Sequence, residues 1–280
     1  MIGADDVTLD LNGHTIDGDG ELVGERCFSR REFCDTGVAN GGHDSVTVRH
    51  GSVREFAVGA FVLNARHNRV LDLSASRSRF FGIALFESAR STIRDSSAFR
   101  NGLEADAEGI SMFRSDHNRI LHNSARHNGD VGLFMKKSDH NQIRKNSMRR
   151  NREGGIGSEG VANVFSRNRV FRGGGGIQIT TFGRGRAVDN VVRRNQVRGS
   201  SASGISVDRA VKRTLISRNH VAGSGRHGIS VDSDSTTLTR NRAMRNGDLG
   251  IEAVEGVIDG GGNRASGNGD PRQCVNVTCH

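Results

Sequence analysis

Proline, tryptophan and tyrosine are almost or entirely missing from this 280-residue chain. It contains one proline, no tryptophan and no tyrosine, whereas glycine occurs 38 times. This composition excludes a Pro-rich linker or a disordered tail and favours one folded body with frequent turns. The chain also has no helix-turn-helix, zinc-finger or RNP-like pattern, so we expect no nucleic-acid partner.

Long apolar runs are absent as well. No stretch approaches the roughly 18 consecutive apolar residues that a membrane-spanning helix needs. The opening residues, Met1 to Asp6, lack the basic and apolar pattern of a signal peptide. We therefore expect no membrane insertion, and we expect the chain to act as a monomer.

Cysteine is scarce, and it is confined to two close pairs near the ends. Cys27 lies near Cys34, and Cys274 lies near Cys279. Each pair could close a short loop as a disulfide, which indicates a secreted or periplasmic protein whose signal lies upstream of Met1. Free thiols are the alternative, while zinc is disfavoured because neither pair has the two-residue spacing of a zinc ribbon.

The charge balance is strongly basic. Lys and Arg number 40 against 31 Asp and Glu, for a net charge of +9, and only four of the basic residues are lysines. An anionic partner would explain this excess. The alternative is an arginine-rich surface that is simply solvated.

The chain is built from an internal repeat. The segment 115–123 recurs as 138–146, and the same shift carries Asn128 to Asn151. Further copies are marked by Gly-Ile pairs whose glycines are Gly82, Gly109, Gly176, Gly204, Gly228 and Gly250. A sustained period of this length indicates stacked structural units.

Each unit contains two or three apolar runs of only three to five residues, separated by Asn, Gly or Ser. Apolar and polar residues alternate within a run, as in Ile177-Gln178-Ile179, which predicts a strand with one buried face. One unit cannot bury that face alone, whereas stacked units form a continuous core and parallel sheets. Leucine-rich repeats have a similar period, but their helical half is absent. The aligned asparagines predict a hydrogen-bonded ladder along the stack.

These motifs resemble a known family of repeats. The pattern Asn-x-Ile-x-x-Asn-x-x-x-x-Asn followed by Gly-Ile, over roughly 43–256, is similar to the right-handed parallel β-helix repeats of pectin-lyase-like proteins, alginate epimerases and NosD-type periplasmic proteins. The opening segment 7–18 is similar to the first coil of such proteins. The resemblance implies an all-β, single-stranded right-handed parallel β-helix of about ten coils with an Asn ladder and a C-terminal cap.

The repeat also predicts the organisation of the chain. We expect one β-helix domain over 1–280, with a first coil and long loop at 1–42, regular coils at 43–256, and a final coil and Cys-containing cap at 257–280. The long stretch between Gly18 and Gly41 and the insertion at 103–107 are candidates for loops beside a binding site. The motif residues themselves are architectural, so they indicate the fold more specifically than the activity.

Alternation within the strands places outward residues in columns with the strand spacing of about 4.8 Å. The first column contains Phe86, Phe113, Lys136, Glu159, Thr180, Asp208 and Asp232. The second column, two residues earlier in each strand, includes Phe134 and Gln178. Two further columns are basic, and the first, just before the ladder asparagine, includes His122, Lys145, Arg167 and Arg194. The second basic column includes Arg100, His127, Arg150, Arg172, Arg198 and Arg245.

An aromatic strip beside basic columns predicts a surface for an acidic polysaccharide. Sugar rings could stack on Phe86, Phe113 and Phe134, and uronate carboxylates could meet Lys137, Gln178, Asp208, Asp232 or the basic columns. We expect Lys136 to act as the base of a lyase or epimerase that removes the C5 proton, with Arg114 and Glu159 beside it. A divalent cation such as calcium, held by Glu159, Asp208 and Asp232, could neutralise the substrate carboxylate.

The resemblance does not extend to catalytic motifs. The chain has no Asp-Pro-His-Glu motif of the alginate epimerases and no tyrosine to donate a proton. The opposing hypothesis is a non-catalytic binding or assembly protein of the NosD type, in which a metal could bind stacked histidines such as His117 and His140. An ordinary Lys–Glu pair on a solvated face is the corresponding alternative for Lys136 and Glu159.

Overall fold

The computed structural model describes residues 1–20, 35–102 and 107–280 of the chain. All regular secondary structure in these ranges is β-strand, and most strands are only three to six residues long because Asn, Ser or Gly interrupts each apolar run. The loop prediction for 103–106 and most of that between Gly18 and Gly41 lie outside the described residues, as do Cys27 and Cys34.

The strands are, in chain order, β1 (Thr8–Asp10), β2 (Thr15–Asp17), β3 (Thr36–Gly41), β4 (Thr47–Arg54), β5 (Val58–Leu63), β6 (Arg69–Ser76), β7 (Phe81–Phe86), β8 (Thr92–Arg94), β9 (Ser97–Phe99), β10 (Ile110–Phe113), β11 (Arg119–Leu121), β12 (Ser124–Arg126), β13 (Val131–Lys136), β14 (Gln142–Arg144), β15 (Ser147–Arg149) and β16 (Gly154–Ser158). They continue with β17 (Val164–Ser166), β18 (Arg169–Gly173), β19 (Gly175–Ile179), β20 (Val191–Arg193), β21 (Gln196–Ser200), β22 (Ile205–Val207), β23 (Leu215–Ser217), β24 (His220–Ala222), β25 (Ile229–Val231), β26 (Thr237–Thr239), β27 (Arg242–Met244), β28 (Ile251–Ala253), β29 (Ile258–Asp259), β30 (Arg264–Ser266) and β31 (Cys274–Val275).

These strands stack in parallel into a solenoid with three faces, which confirms the predicted β-helix. The first face is an 11-stranded sheet that runs from β3 to β31 and contains the strand after each Gly-Ile pair. The second face contains β8, β11, β14, β17, β20, β23, β26 and β29. The third face contains β9, β12, β15, β18, β21, β24, β27 and β30. The second and third faces are joined through the long strands β4 and β6.

The core is a stack of aliphatic side chains inside the coils. On the first face Ile110, Leu133 and Ile156 occupy equivalent positions on successive strands, and each is at most 1% exposed. The same apolar cluster runs from Ile2 to Ala253 without a break. Stacking therefore supplies the burial that a single repeat unit lacks.

The predicted asparagine ladder is present at the turn between the second and third faces. The side-chain amide of Asn146 donates to Asn168 at 3.1 Å, and Asn168 donates to Asn195 at 3.1 Å. Each amide also donates to a core backbone carbonyl, as Asn168 does to Ile143 at 2.9 Å. The ladder therefore satisfies polar backbone groups that would otherwise be buried without partners.

The C-terminal cap is also present. Cys274 and Cys279 form a disulfide, and Cys274 pairs in register with Ile251 of β28. A backbone bridge joins Asn263 to Cys279. The cap thus covers the last regular coil of the first face, as the paired cysteines predict.

Candidate functional site

The outer side of the first face carries an aromatic strip, as strand alternation predicts. Phe86 pairs in register with Phe113, and Phe113 pairs with Lys136. The rings of Phe86 and Phe113 lie 5.8 Å apart, edge to face. Phe134 lies over Gly157, where an added Cβ would come within 2.9 Å of its ring. Glycine at this position therefore leaves room for the ring to lie flat on the sheet.

Phe182 extends the strip and is a residue that the sequence reasoning missed. Its ring lies 5.7 Å from that of Phe134, and the Nζ of Lys136 lies 5.5 Å from its centroid. The side chain of Phe182 remains substantially exposed, at 41%. We define the aromatic strip as Phe86, Phe113, Phe134 and Phe182.

Basic side chains border this strip on the side where the strands end. Arg114 lies over the ring of Phe113, 5.0 Å from its centroid, and its Nη1 is 3.4 Å from a carboxylate oxygen of Glu87. Lys137 is exposed at the turn that follows Lys136. The structure therefore brings the three predicted basic residues, Arg114, Lys136 and Lys137, to the same margin of the strip.

Glu159 differs from the prediction of a solvated residue. It occupies the predicted position after β16, yet its side chain is 0% exposed. Its Oε1 accepts a hydrogen bond from the backbone N–H of Phe182 at 3.2 Å, and its Oε2 has no partner among the described residues. A Cβ added to Gly185 would overlap Oε1. The segment 181–186 therefore covers the carboxyl group.

This covering segment has a signal in the sequence. The interval from Gly176 to Gly204 exceeds the repeat period, and the extra residues follow Thr180 at the end of β19. The longer interval was visible in the repeat, but it was not interpreted as a loop over the first face.

Three carboxylate residues lie at the opposite margin, where the strands of the first face begin, and the sequence reasoning missed all three. Glu108 directly precedes Gly109 at the start of β10, and Asp130 and Glu153 precede β13 and β16. Burial, followed by the nearby charge of Asp130, raises the pKa of Glu108 to about 7. Burial also raises the pKa of Asp130, with a further contribution from Glu153.

The carboxyl group of Glu108 lies beside the aromatic strip. The hydroxyl of Ser111 lies close enough to Glu108 to lower the pKa of its carboxyl group, and Ser111 pairs in register with Phe134. Glu108 is 9% exposed, and its Oε2 has no hydrogen-bond partner within the described part of the chain. A buried carboxyl group with a raised pKa and a free oxygen can exchange a proton near neutral pH.

The remaining predicted residues of the first face are spread along it. Gln178 is exposed, Asp232 is exposed, and Asp208 accepts a hydrogen bond from the hydroxyl of Thr180. Across residues 1–20, 35–102 and 107–280, no group of three His, Cys, Asp or Glu side chains is arranged to hold a metal ion. His117 and His140 do stack, with ring centroids 4.8 Å apart.

The first basic column does not lie with the aromatic strip. His122, Lys145, Arg167 and Arg194 are turn residues between the second and third faces, with φ between +55° and +58°. The first face begins only after the next turn of each coil, so a ligand that lies on the strip does not also contact this column. The prediction of one continuous surface from both sets of residues is therefore wrong.

In the second basic column, the expected alignment of Arg198 with Arg172 is wrong by one residue. Arg198 pairs with Phe171 within the third face, and Gly199 occupies the turn position beside Arg172. The spacing of this turn is unchanged, and glycine replaces the basic residue that Arg172 and Arg150 supply in the preceding coils.

In the described part of the chain, no helix is long and apolar enough to cross a membrane. This finding concerns helices alone.

Comparison with solved structures shows the fold. The periplasmic alginate epimerase AlgG matches with a TM-score of 0.61 and 18% identity, over 75% of this chain and 51% of that one. The catalytic unit of a thermostable GH87 α-1,3-glucanase from Streptomyces thermodiastaticus matches with a TM-score of 0.76 and 16% identity, over 93% and 56%. A GH87 α-1,3-glucanase catalytic domain in complex with nigerose matches with a TM-score of 0.63 and 13% identity, over 79% and 50%. The chain thus spans about half the length of these proteins.

The sequence comparisons are consistent with this picture. No protein with a curated description matches the chain. The family model described as right-handed β-helix region matches residues 36–190, which is more than half of the chain. This protein therefore belongs to the right-handed β-helix family.

Proposed function

We propose that this protein binds an acidic polysaccharide along the aromatic strip and modifies it by proton transfer, as a lyase or an epimerase does. The observation that carries the proposal is the buried carboxyl group of Glu108, which lies beside the strip through Ser111 and Phe134. The strip suits the apolar faces of sugar rings, and Lys136 and Arg114 offer positive charge to carboxylates.

The structural relatives support a carbohydrate ligand. By their names, one epimerises alginate and others cleave α-1,3-glucan or bind nigerose. Their identity to this chain is at most 18%, so their activities support the class of ligand and not a particular reaction.

The proposed reaction begins with neutralisation of a uronate carboxylate by Lys136 and Arg114. Glu108, ionised, then accepts the C5 proton, for which a pKa of about 7 is well suited near neutral pH. In elimination, the electron pair of the broken C5–H bond forms the C4–C5 double bond as the C4–O4 bond breaks, and O4 takes up the proton from Glu108, directly or through water. In epimerisation, water on the opposite side of the ring donates a proton to C5, and the hydroxide that remains takes up the proton held by Glu108. Glu159 acts by holding the Phe182 segment over the strip.

Several further features belong to the proposal. Lys137 and Gln178 extend the binding surface, and Asp208 and Asp232 lie farther along the sheet. A divalent cation such as calcium would need ligands from the substrate as well, because the described residues offer no group of three suitable side chains. Every residue named for the site lies on one chain, so a monomer is sufficient. The Cys274–Cys279 disulfide supports a secreted or periplasmic location.

The test is an activity screen with the full chain and the variant Glu108→Gln. The substrates are alginate, polygalacturonate and neutral α-1,3-glucan, followed by ultraviolet absorbance of unsaturated product, by NMR of the uronate epimers and by reducing ends. We expect product from an acidic polymer, and a loss of about 100-fold or more in kcat for E108Q with little change in affinity. Glu255→Gln, at an exposed site, is the matched control.

Binding is tested separately with Lys136→Ala, which should weaken affinity for the same polymer. Absence of product on every polymer, with affinity unchanged in K136A, would favour the non-catalytic NosD-like alternative. Reducing ends from α-1,3-glucan alone would instead indicate hydrolysis by the Glu108 and Asp130 pair.

A further inference from the structure

The third face carries an array of arginines that lies outside the proposed site and forms no ion pairs with the described residues. In each strand of the third face the central residue points into the core, and the residues on either side of it point outward. Arginine occupies six of these outward positions between β12 and β30. The six are Arg126, Arg149, Arg169, Arg198, Arg242 and Arg264. We call this surface the arginine face.

Within the described ranges, no carboxylate neutralises this surface. The other outward residues of β12, β15, β18, β21, β24, β27 and β30 are Ser, Phe, Gln, His, Ala and Met. None of the six arginines forms an ion pair with any of the described residues, whereas Arg54 pairs with Asp17 at the N-terminal end of the same face. Arg126 with Arg149, and Arg242 with Arg264, lie in register on adjacent strands about 4.8 Å apart, where like charges repel each other. The array therefore costs stability unless a ligand neutralises it.

The turns on both sides of the arginine face add to its charge. Lys145, Arg167 and Arg194 follow one margin, and Arg150 and Arg172 follow the other. All five adopt φ between +51° and +57°, a left-handed region that residues with long side chains rarely occupy. The backbone conformation at these turns therefore does not explain why the residues are basic.

Two phenylalanines orient the guanidinium groups. Arg126 lies over the ring of Phe99 at 4.3 Å, while Arg149 and Arg172 lie 5.5 Å and 5.0 Å from the centroid of Phe171. Stacking of this kind fixes the plane of a guanidinium and leaves its N–H groups free to bind an anion in a bidentate manner.

A groove lies between these side chains. Its volume is about 250 Å³, and it is lined by Ser147, Arg149, Arg169, Phe171, Gln196 and Arg198. With its amide oxygen turned toward Arg198, Gln196 accepts hydrogen bonds from Nε and Nη2 at 3.2 Å and 2.8 Å. The guanidinium of Arg198 is therefore held in place beside the groove.

The nearby histidines report the positive potential of the surface. The pKa of His220 is lowered by burial and by the charges of Arg198 and Arg242. The pKa of His127 is lowered by burial and then by Arg150 and Arg126. Burial is the larger cause of both shifts, and the neighbouring cations lower the two pKa values further.

We propose that the arginine face is a second polysaccharide-binding surface, which recognises regularly spaced carboxylate or sulfate groups of a glycan and holds one of them in the groove between Arg149 and Arg198. A nucleic acid fits less well, because Phe99 and Phe171 are already covered by guanidinium groups and cannot stack bases. The inference does not depend on catalysis at the first face, from which this surface is separated by a turn.

Binding of the full chain to heparin, polygalacturonate and neutral dextran tests the proposal by calorimetry over a range of salt concentrations. The variant removes two guanidinium groups at the groove, by Arg149→Gln and Arg198→Gln. The control removes two exposed arginines from the second face, by Arg144→Gln and Arg193→Gln, and so has the same net charge. Equal thermal midpoints of the two double variants show that both are folded.

We expect affinity for an anionic glycan, none for dextran, and a loss of about tenfold or more in the groove variant against less than about twofold in the control. The groove variant should also show a shallower dependence of affinity on salt. Tighter binding to heparin indicates sulfate recognition, and tighter binding to polygalacturonate indicates carboxylate recognition.

Equal losses in the two double variants, or no affinity for either anionic glycan, would overturn the proposal. So would stronger binding to single-stranded DNA that the groove variant abolishes. E108Q keeps the arginine face intact, so its binding to these glycans should persist even if the proposed activity of the first face fails the screen above.

Discussion

Glu108 and Glu159 are buried carboxyl groups on the outer side of the first face, and each has one oxygen without a hydrogen-bond partner among the described residues. Burial of an ionised carboxylate is costly unless it is fully paired. Burial raises the pKa of Glu108 to about 7, so this carboxyl group avoids the cost by remaining protonated up to near neutral pH. A carboxyl group kept in this state suits proton exchange better than structural pairing.

The raised pKa of Glu108 predicts that the free energy of unfolding falls as the pH rises. Below the unfolded pKa of about 4.5 the group is protonated in both states, and between about pH 4.5 and about pH 7 only the folded state retains the proton. The contribution of this proton to stability, up to about 3 kcal/mol, is therefore lost progressively over that range and is gone once the pH exceeds the folded pKa. When urea unfolding is measured at several pH values, the free energy of unfolding should fall less with rising pH in E108Q than in the wild type.

The exposed Glu255 provides the matched comparison. E255Q should follow the wild-type curve across the same pH range. If E108Q also follows it, the carboxyl group of Glu108 does not titrate in the manner proposed.

The sequence predicted which residues lie side by side on neighbouring strands, but it did not predict how exposed each side chain is. Strand alternation placed Phe113 beside Phe86 and Lys136, because the register of stacked strands follows from the period of the repeat. The same reasoning predicted that Glu159 is exposed to solvent. Its burial depends on the conformation of a segment from the next coil, which strand alternation does not describe. Glu108 was missed because it lies at a turn, where alternation makes no statement.

At the scale of elements, the first face is distinguished by the segment 181–186, which follows β19 and covers Glu159. Gly185 allows this close approach, since any Cβ would overlap a carboxylate oxygen. The aromatic strip thus depends on one glycine for the position of Phe182.

Gly185→Ala should lift this segment from the first face. Moving Phe182 removes its contacts with Phe134 and Lys136, so we expect a loss of about tenfold in affinity for the polysaccharide and little change in thermal midpoint. Titration calorimetry beside thermal unfolding separates the two effects.

Gly183 offers the control within the same segment. Its φ is +59°, and nothing lies within 4 Å of an added Cβ, so Gly183→Asn keeps a backbone that asparagine tolerates. Unchanged affinity in G185A would mean that the covering segment takes no part in binding.

The covering segment 181–186 was overlooked in the sequence, although the repeat that contains it is longer than the others. An interval that exceeds the period, as that from Gly176 to Gly204 does, indicates an insertion, but it does not say on which face the extra residues lie or what they cover. The interval from Gly82 to Gly109 is long as well, and it ends at Glu108 and β10. Together the two intervals mark the coils on which the proposed site lies.

At the scale of the whole molecule, the fold was predictable because every coil repeats the same strands and turns. An apolar strand, an asparagine at the turn and a left-handed residue before it recur from coil to coil, and each contact joins near neighbours in the stack. Function was less predictable, because it depends on residues in which the coils differ. The uneven distribution of charge over the three faces appeared only when the turns were assigned.

A stack of this kind predicts that stability is local, with each coil supported mainly by its neighbours. The Cys274–Cys279 disulfide closes a sequence separation of five residues on the last coil, for which the chain-entropy model gives about 2 kcal/mol. Cys274→Ser with Cys279→Ser should therefore speed hydrogen exchange in β31 and β28 while β13 and β16 keep their protection, as measured by mass spectrometry. An equal loss of protection in all four strands would show instead that the solenoid unfolds as one cooperative unit.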